Sequence, residues 1–343
     1  MPVMPDSPAD LHLVGLTTDG HLWHTMRRRG ADGHWRWLPF RDSTIAQADK
    51  PGDFIDVDCA RQVANADQRP SALHVVGVTA DGRLWWASRN SQTGSWNRFQ
   101  NVEDNGAGEA GTFVRAAVSV SHAWPGTPHG QPTKVEIHLA GLTGDGRLLV
   151  TSRAPTAATT FSPFTDVELT GGGERRDLRA AGLAGITGRD NATSSHLCAT
   201  GGDGRLWHSI GRPGSGPEAW APLRDVEIEG RAGEGGDLVD VGCADDLHVG
   251  AVSGDGHVRY TSRNPDNPAR WPTFTDLESA GDVGTFTRIS AAKISSGLHF
   301  SGVTGDGQLR HMIRKDPTSP FGDVEHGPGH AGERGTFQAV GIA

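Results

Sequence analysis

LHVVGVTADGRLWWASR, residues 73–89, is the stretch on which the fold turns, because it recurs five more times along the chain. The other copies are LHLVGLTTDGHLWHTMR (11–27), IHLAGLTGDGRLLVTSR (137–153), SHLCATGGDGRLWHSIG (195–211), LHVGAVSGDGHVRYTSR (247–263) and LHFSGVTGDGQLRHMIR (298–314). They align without a gap: in each, a histidine precedes an aspartate by 7 residues, and successive aspartates lie 62, 64, 58, 52 and 51 residues apart. Self-similarity of that length belongs to repeat architectures, close to the kelch-type period of about 50. Short runs of β-branched and aromatic residues broken by Gly, Asp and Pro read as strands, and no helical period of useful length competes. The Asp-Gly pair inside each copy predicts a hairpin with a two-residue type I′ turn.

Two further pieces recur on either side of this hairpin. One, such as FQNV, FTDV, LRDV, FTDL or FGDV, ends at Val102, Val167, Val226, Leu277 and Val324. The other is led by Gly or Asp: GDFIDVDCA, GTFVRAAVSV, RDLRAAGLAG, GDLVDVGCA, GTFTRISAA and GTFQAVGIA. Each unit therefore carries four strands, and four-stranded antiparallel units repeated around an axis make a β-propeller. The first copy, at Leu11, has no Gly-led strand before it, and residues 335–343 form a Gly-led strand with no hairpin after it. The expectation is an all-β, six-bladed propeller forming one domain over 1–343, its first blade completed by the C-terminal strand. A closed ring also removes the open sheet edges that invite aggregation.

Composition narrows the function. The 343 residues include 48 Gly, 32 Lys+Arg and 41 Asp+Glu, for a net charge of −9. Without a basic excess, nucleic acid is not an expected partner. No apolar run approaches the roughly 18 residues of a spanning helix, and MPVMPDSPAD lacks the charged start and apolar stretch of a signal peptide. A soluble chain without membrane insertion is expected. Cys59, Cys198 and Cys243 are too scattered for a disulfide framework or a zinc site and read as small buried residues. Calcium would need more oxygen ligands than the Asp-Gly pairs supply. No Ser/His/Asp order, HExxH or phosphate loop is present, so no catalytic residue, metal or cofactor is expected.

The recurrent polar residues are the candidate site. His12, His74, His138, His196, His248 and His299 precede the turns, and a two-residue turn sets five of them opposite Arg27, Arg89, Arg153, Arg263 and Arg314. Gly211 takes that place in the fourth blade, with Arg212 shifted by one. Residues directly opposed share a sheet face with Cβ atoms about 5 Å apart. Alternation adds Trp23, Trp85 and Trp207, and the start of the outer strand adds Trp35, Trp96, Phe161, Trp220 and Trp271, with no aromatic evident in the sixth blade. Such residues also serve purely structural ends: a His bonded to a neighbouring blade, an Arg stem over apolar surface, a Trp filling the outer core. Together they suit sugars, since an indole face packs on C–H patches while Arg and His direct donors to hydroxyls. The glutamates after the outer strand (Glu103, Glu168, Glu227, Glu278, Glu325) read as solvated charge at the opposite end.

The unit LHVVGVTADGRLWWASR...W..F..V, with its FGDVE and GTF pieces, resembles the tectonin-type propeller lectins and closely resembles bacterial propeller lectins of the Photorhabdus type. The resemblance covers essentially the whole chain, although Photorhabdus-type lectins are usually seven-bladed and Trp is missing after Leu148, Val258 and Leu309. It implies a multivalent sugar-binding protein, recognising fucose or O-methylated sugars between blades, without catalysis or essential metal. Glycans or glycoconjugates, reached outside the cell, are then the expected partners, with a homo-oligomer left open. The rival expectation is a protein-binding scaffold that presents its long loops, Ala60 to Ala72 and Ser119 to Glu136 with Trp124.

Overall fold

The computed structural model describes residues 5–43, 50–63, 70–123, 134–154, 160–171, 175–186, 194–212, 219–263, 270–277, 284–314 and 319–343. Within them the six repeats form six antiparallel sheets. In blade 2, Phe54–Val63 is innermost, followed by Pro70–Thr79, Leu84–Asn90 and the short outer strand Gln100–Asn101. Blade 1 is assembled from both ends of the chain: Phe337–Ile342 pairs with Leu11–Thr17, which pairs with Leu22–Arg29. Its outer edge is split into Trp35–Trp37 and Arg41–Asp42. The six innermost strands touch in order around the axis, and that of blade 1 touches both blade 6 and blade 2.

The hairpin differs from its expected form by one residue. Leu11 pairs with Arg27, His12 with Met26 and Leu16 with Leu22. Gly20 N donates to Thr17 O (2.9 Å) and Thr17 N to His21 O (3.0 Å), so three residues, Thr18 to Gly20, form the loop. Gly20 has φ +77°, whereas Asp19 keeps a negative φ, which excludes a type I′ turn and matches a type I turn closed by a glycine bulge. A hydroxyl fixes it: Thr17 Oγ1 donates to Asp19 Oδ1 at 2.6 Å, and the equivalents Thr79, Ser253 and Thr304 do the same for Asp81, Asp255 and Asp306. A one-residue slip exchanges the two faces of a strand. His12 and Arg27 therefore lie on opposite faces of blade 1 and do not face each other.

The turn also joins blades. The carbonyls of five turn glycines accept from the inner strand of the next blade: Phe54 N to Gly20 O (3.4 Å), Phe113 N to Gly82 O (2.8 Å), Leu238 N to Gly204 O (2.8 Å), Phe286 N to Gly256 O (2.8 Å) and Phe337 N to Gly307 O (2.9 Å), whereas Leu178 N turns to Arg176 O (3.0 Å). Between blades lie the apolar layers. Val14, Leu16 and Leu22 of blade 1 meet Phe54, Val57 and Val75 of blade 2, while Leu11 and Leu13, on the other face, meet Val303 and Leu309 of blade 6. Cys59, Cys198 and Cys243 are buried in such layers, as their spacing led one to expect. Among the described residues no helix is long and apolar enough to cross a membrane.

Candidate functional site

Because His12 and Arg27 face different neighbours, the recurrent groups meet across blade boundaries. Between blades 1 and 2, the His12 and His24 rings stack at 5.3 Å with Nδ1 and Nε2 3.0 Å apart, and the Trp96 ring meets His24 edge-on at 5.6 Å. Arg89 of blade 2 bridges to Trp96 in the backbone and lies close enough to lower the pKa of both histidines. Between blades 2 and 3, His74 stacks on Trp86 (5.7 Å), Trp86 meets Phe161 (5.8 Å), and the Arg153 guanidinium sits 4.9 Å from the Trp86 centroid and 5.6 Å from that of Phe161.

The pattern repeats around the ring. His196 stacks on His208 (5.1 Å), which meets Trp271 of blade 5 edge-on (5.2 Å), with Arg263 nearby. His248 lies over Tyr260, Nδ1 2.8 Å from the phenol oxygen, and Arg314 of blade 6 covers that ring at 4.0 Å. His299 stacks on His311 (5.3 Å), which meets Trp37 of blade 1 (5.1 Å), while Arg27 approaches from blade 1 and rests 4.9 Å from the Trp35 centroid. The boundary between blades 3 and 4 departs. His138 bonds Ser121 Oγ (2.8 Å), Val150 stands where the second ring would be, and Trp220 packs into the same cluster. A Cβ at Gly211 would lie 2.8 Å from the Trp220 ring, so the indole occupies the space a side chain there would need.

Histidine, ring and guanidinium are thus brought together at five boundaries. The sequence reading missed the second ring of each stack: His24, Trp86, His208, Tyr260 and His311. They sit one residue after Trp23, Trp85, Trp207, Arg259 and Arg310, and only the true register shows that this position shares a face with the histidine. Trp23, Trp85 and Trp207 are placed elsewhere. Four residues separate Trp23 from Arg27, about 13 Å along a strand, and the indole N–H of Trp23 donates to Thr17 Oγ1 (3.2 Å), that of Trp85 to Thr79 Oγ1 (3.0 Å), both at the turn end.

The stacked histidines are neutral. Burial, then the facing arginine, pushes His74, His196 and His299 down to about 3, and burial with Lys293 and other neighbours takes His248 to about 4. His12, His74, His138, His196 and His299 are all buried, whereas Arg27, Arg153, Arg263, Arg314, Trp35 and Trp96 are half-buried. Where guanidinium or indole is half-buried it forms the accessible wall above the imidazoles, as Arg27, Trp35, Arg153, Arg263 and Arg314 do, whereas Arg89, Phe161 and Trp271 are buried and His248 is half-buried. Hydroxyls do stand beside imidazoles, Ser121 beside His138 (2.8 Å), Ser296 beside His299 (3.0 Å) and Tyr260 beside His248 (2.8 Å), while the rings and guanidiniums of the boundaries are suited to holding a polar ligand.

Two other expectations change. Glu168 and Glu325 are buried, and Glu103, Glu168 and Glu227 accept from the backbone N–H of Ala110 (3.2 Å), Arg176 (2.7 Å) and Gly235 (3.0 Å). They fasten the return to the next inner strand and are not solvated charges; Glu278 lies outside the described residues. The long loops of blades 2 and 3 are extended hairpins, paired out to Val63 with Pro70 and to Ala123 with Lys134. Trp124 lies outside the described residues.

The axis holds a second polar site. Asp56, Asp58, Arg115, Asp240 and Arg288 line the central cavity. Asp56, Asp58 and Asp240 accept from backbone N–H groups of Ala116 (2.8 Å), Val118 (2.9 Å) and Ile289 (2.8 Å), clamping neighbouring inner strands. Among the described residues no group of three or more His, Cys, Asp or Glu is arranged to hold a metal ion.

No family model matches the sequence, and no curated protein matches it. Solved structures do. The chain is similar to a point mutant of Aleuria aurantia lectin in complex with Fucα1-6GlcNAc, with a TM-score of 0.56, 12% identity and coverage of 96% of this chain and 95% of that one. AofleA from Arthrobotrys oligospora gives a TM-score of 0.55 at 10% identity, over 92% and 86%. A further structure of Aleuria aurantia lectin, described as a six-bladed β-propeller with a novel fucose recognition mode, gives 0.51 at 10% identity, over 97% and 99%. At such identities the likeness establishes the six-bladed propeller fold.

Proposed function

We propose that this chain is a multivalent carbohydrate-binding protein, a lectin and not an enzyme, whose single propeller domain holds terminal sugars in pockets between blades. One observation carries the reading: at five boundaries a guanidinium from one blade faces an imidazole and its stacked ring from the blade before it. Arginine supplies directed donors, indole a face for C–H patches, and near-identical weak sites on one molecule gain avidity of about 10²–10⁴. The sugar-facing residues are Arg27, Arg153, Arg263 and Arg314 with Trp35 and, deeper in their boundaries, Phe161 and Trp271; Arg89 and Trp96 hold the equivalent place at a boundary where Asp6 meets Arg89. His12, His74, His196, His248 and His299 support them from below. Fucose or O-methylated sugars are the proposed ligands, on the resemblance of the repeat and on neighbours described as fucose lectins. Extracellular glycoconjugates are the proposed partners.

A glycan array tests the class, since a lectin gives clustered hits sharing a terminal sugar. Calorimetry with methyl α-L-fucoside tests the site. Arg153→Ala removes charge-assisted hydrogen bonds and is expected to weaken its own site by about 1.5–3 kcal/mol, with little change in melting temperature because the side chain is half exposed. Unchanged per-site affinity would refute the pocket.

A further inference from the structure

One of the five pockets is occupied by the chain itself. The Asp6 side chain is fully buried, with Oδ2 2.6 Å from Arg89 Nη1 and 3.4 Å from His12 Nε2, and Oδ1 3.4 Å from Arg28 Nη2. The contact is built and not incidental. Asp6 N donates to Ser91 O at 2.9 Å, which fixes the segment to blade 2, and Asp10 Oδ2 accepts from Arg28 Nε at 2.9 Å, which fixes it to blade 1. Burial alone would raise the Asp6 pKa, but His12 and Arg89 beside it hold the carboxyl far below the usual range.

Arg27 and Arg314 occupy the same place in their repeats as Arg89. Each pairs with the first residue of the preceding strand, Leu11 with Arg27, Leu73 with Arg89 and Leu298 with Arg314, and each lies against the ring stack of the blade before it. Among the described residues neither has an acid within ion-pair distance. Burial lowers the Arg27 pKa without an opposing carboxylate, and Arg314 Nε is buried with no hydrogen-bond partner. The rings they face are His299 and His311 for Arg27, both lowered chiefly by burial, and Tyr260 with His248 behind it for Arg314, where the Lys293–Asp246 ion pair also lies near His248. A partly desolvated cation laid on rings, with no acid paired to it, favours a ligand that restores its counter-charge, and a carboxylate does so through bidentate, charge-assisted hydrogen bonds that a hydroxyl cannot match.

We propose that the pockets of Arg27 and Arg314 take a sugar that bears a carboxylate, and that Asp6 is a built-in carboxylate closing the Arg89 pocket to the same ligand. The inference rests on the sugar-binding reading but assigns these two pockets an acidic ligand in place of a neutral one.

The test is calorimetry on the full chain with methyl β-D-glucuronide, its carboxylate-free counterpart methyl β-D-glucoside, and methyl α-L-fucoside. The glucuronide is expected to bind at least tenfold more tightly than the glucoside, and more weakly as salt rises. Arg27→Gln and Arg314→Gln should each remove one glucuronide site, and Asp6→Asn should add one. If Asp6→Asn does not fold, the two arginine variants decide. Equal affinity for glucuronide and glucoside, or a site count unchanged in both arginine variants, overturns the acidic assignment; fucoside binding would then leave the sugar-binding reading standing. Binding of none of the three sugars overturns the inference together with the reading beneath it.

Discussion

A methyl group added at Gly141 would lie 2.4 Å from Phe113 Cε1, and the same clash arises at Gly15 with Phe337 (2.5 Å), Gly77 with Phe54 (2.7 Å) and Gly302 with Phe286 (2.6 Å). The phenylalanine of each Gly-led strand packs flat on the glycine of the next strand. In blades 4 and 5 both partners change together: Leu178 and Leu238 replace the ring, and Ala199 and Ala251 replace the glycine, within the same buried clusters. Volume moves from one strand to its neighbour while the layer stays filled, the kind of swap that cores tolerate. Gly141→Ala alone is therefore expected to destabilise by about 1–3 kcal/mol through overpacking, and Phe113→Leu by a similar amount through a cavity. The double variant should recover at least about 1 kcal/mol of the summed loss in urea melts, because the two defects cancel. Strict additivity would show that the pairing is incidental.

The strand from Phe337 to Ile342 is the element on which closure depends. It pairs with Leu11–Thr17, its Phe337, Val340 and Ile342 share a buried cluster with Leu309 of blade 6, and its Ala339 packs with Phe54 of blade 2. Removing residues from Gly335 onward exposes the inner edge of blade 1 and uncovers apolar side chains of blades 2 and 6, so the melting temperature should fall by more than about 10 °C; a truncated chain that melts like the parent would refute the ring. Strand number, order and this closure were legible because each is written in recurring residues. The register was not. Asp-Gly serves a two-residue type I′ turn and a three-residue turn with a glycine bulge equally well, and the choice rests on the Thr17 hydroxyl gripping Asp19. With register goes face, and with face goes the neighbour: a slip of one residue placed His12 and Arg27 on one face, whereas they lie on opposite faces of blade 1 and so belong to different boundaries. Asp6, too, had no repeat to announce it.

At the scale of the whole molecule, the inter-blade imidazoles and the axial carboxylates respond to pH in opposite directions. His74, His196 and His299 are held down to about 3 and His122 and His248 to about 4, chiefly by burial, and His12, His24, His208 and His311 are lowered as well. In the unfolded chain these groups take a proton near pH 6.5. Their contribution to stability is complete above that value and is lost progressively as pH falls from there through 4 and 3. Burial raises Asp58 to about 7 and Asp240 to about 6, and raises Asp56. These carboxyls hold protons when folded that the unfolded chain has released, so their contribution is complete below about pH 4 and fades as pH rises through 6 and 7. Acidification thus sets nine lowered imidazoles against the axial acids and against Asp245, Glu103, Glu168, Glu227 and Glu325, which burial raises as well. Each imidazole in excess gives a slope of roughly 1.4 kcal/mol per pH unit, and the melting temperature should fall from pH 7 to pH 5. Melting curves across that range decide the matter: a temperature that holds or rises would mean the buried acids dominate and the stacks at the blade boundaries are not held neutral.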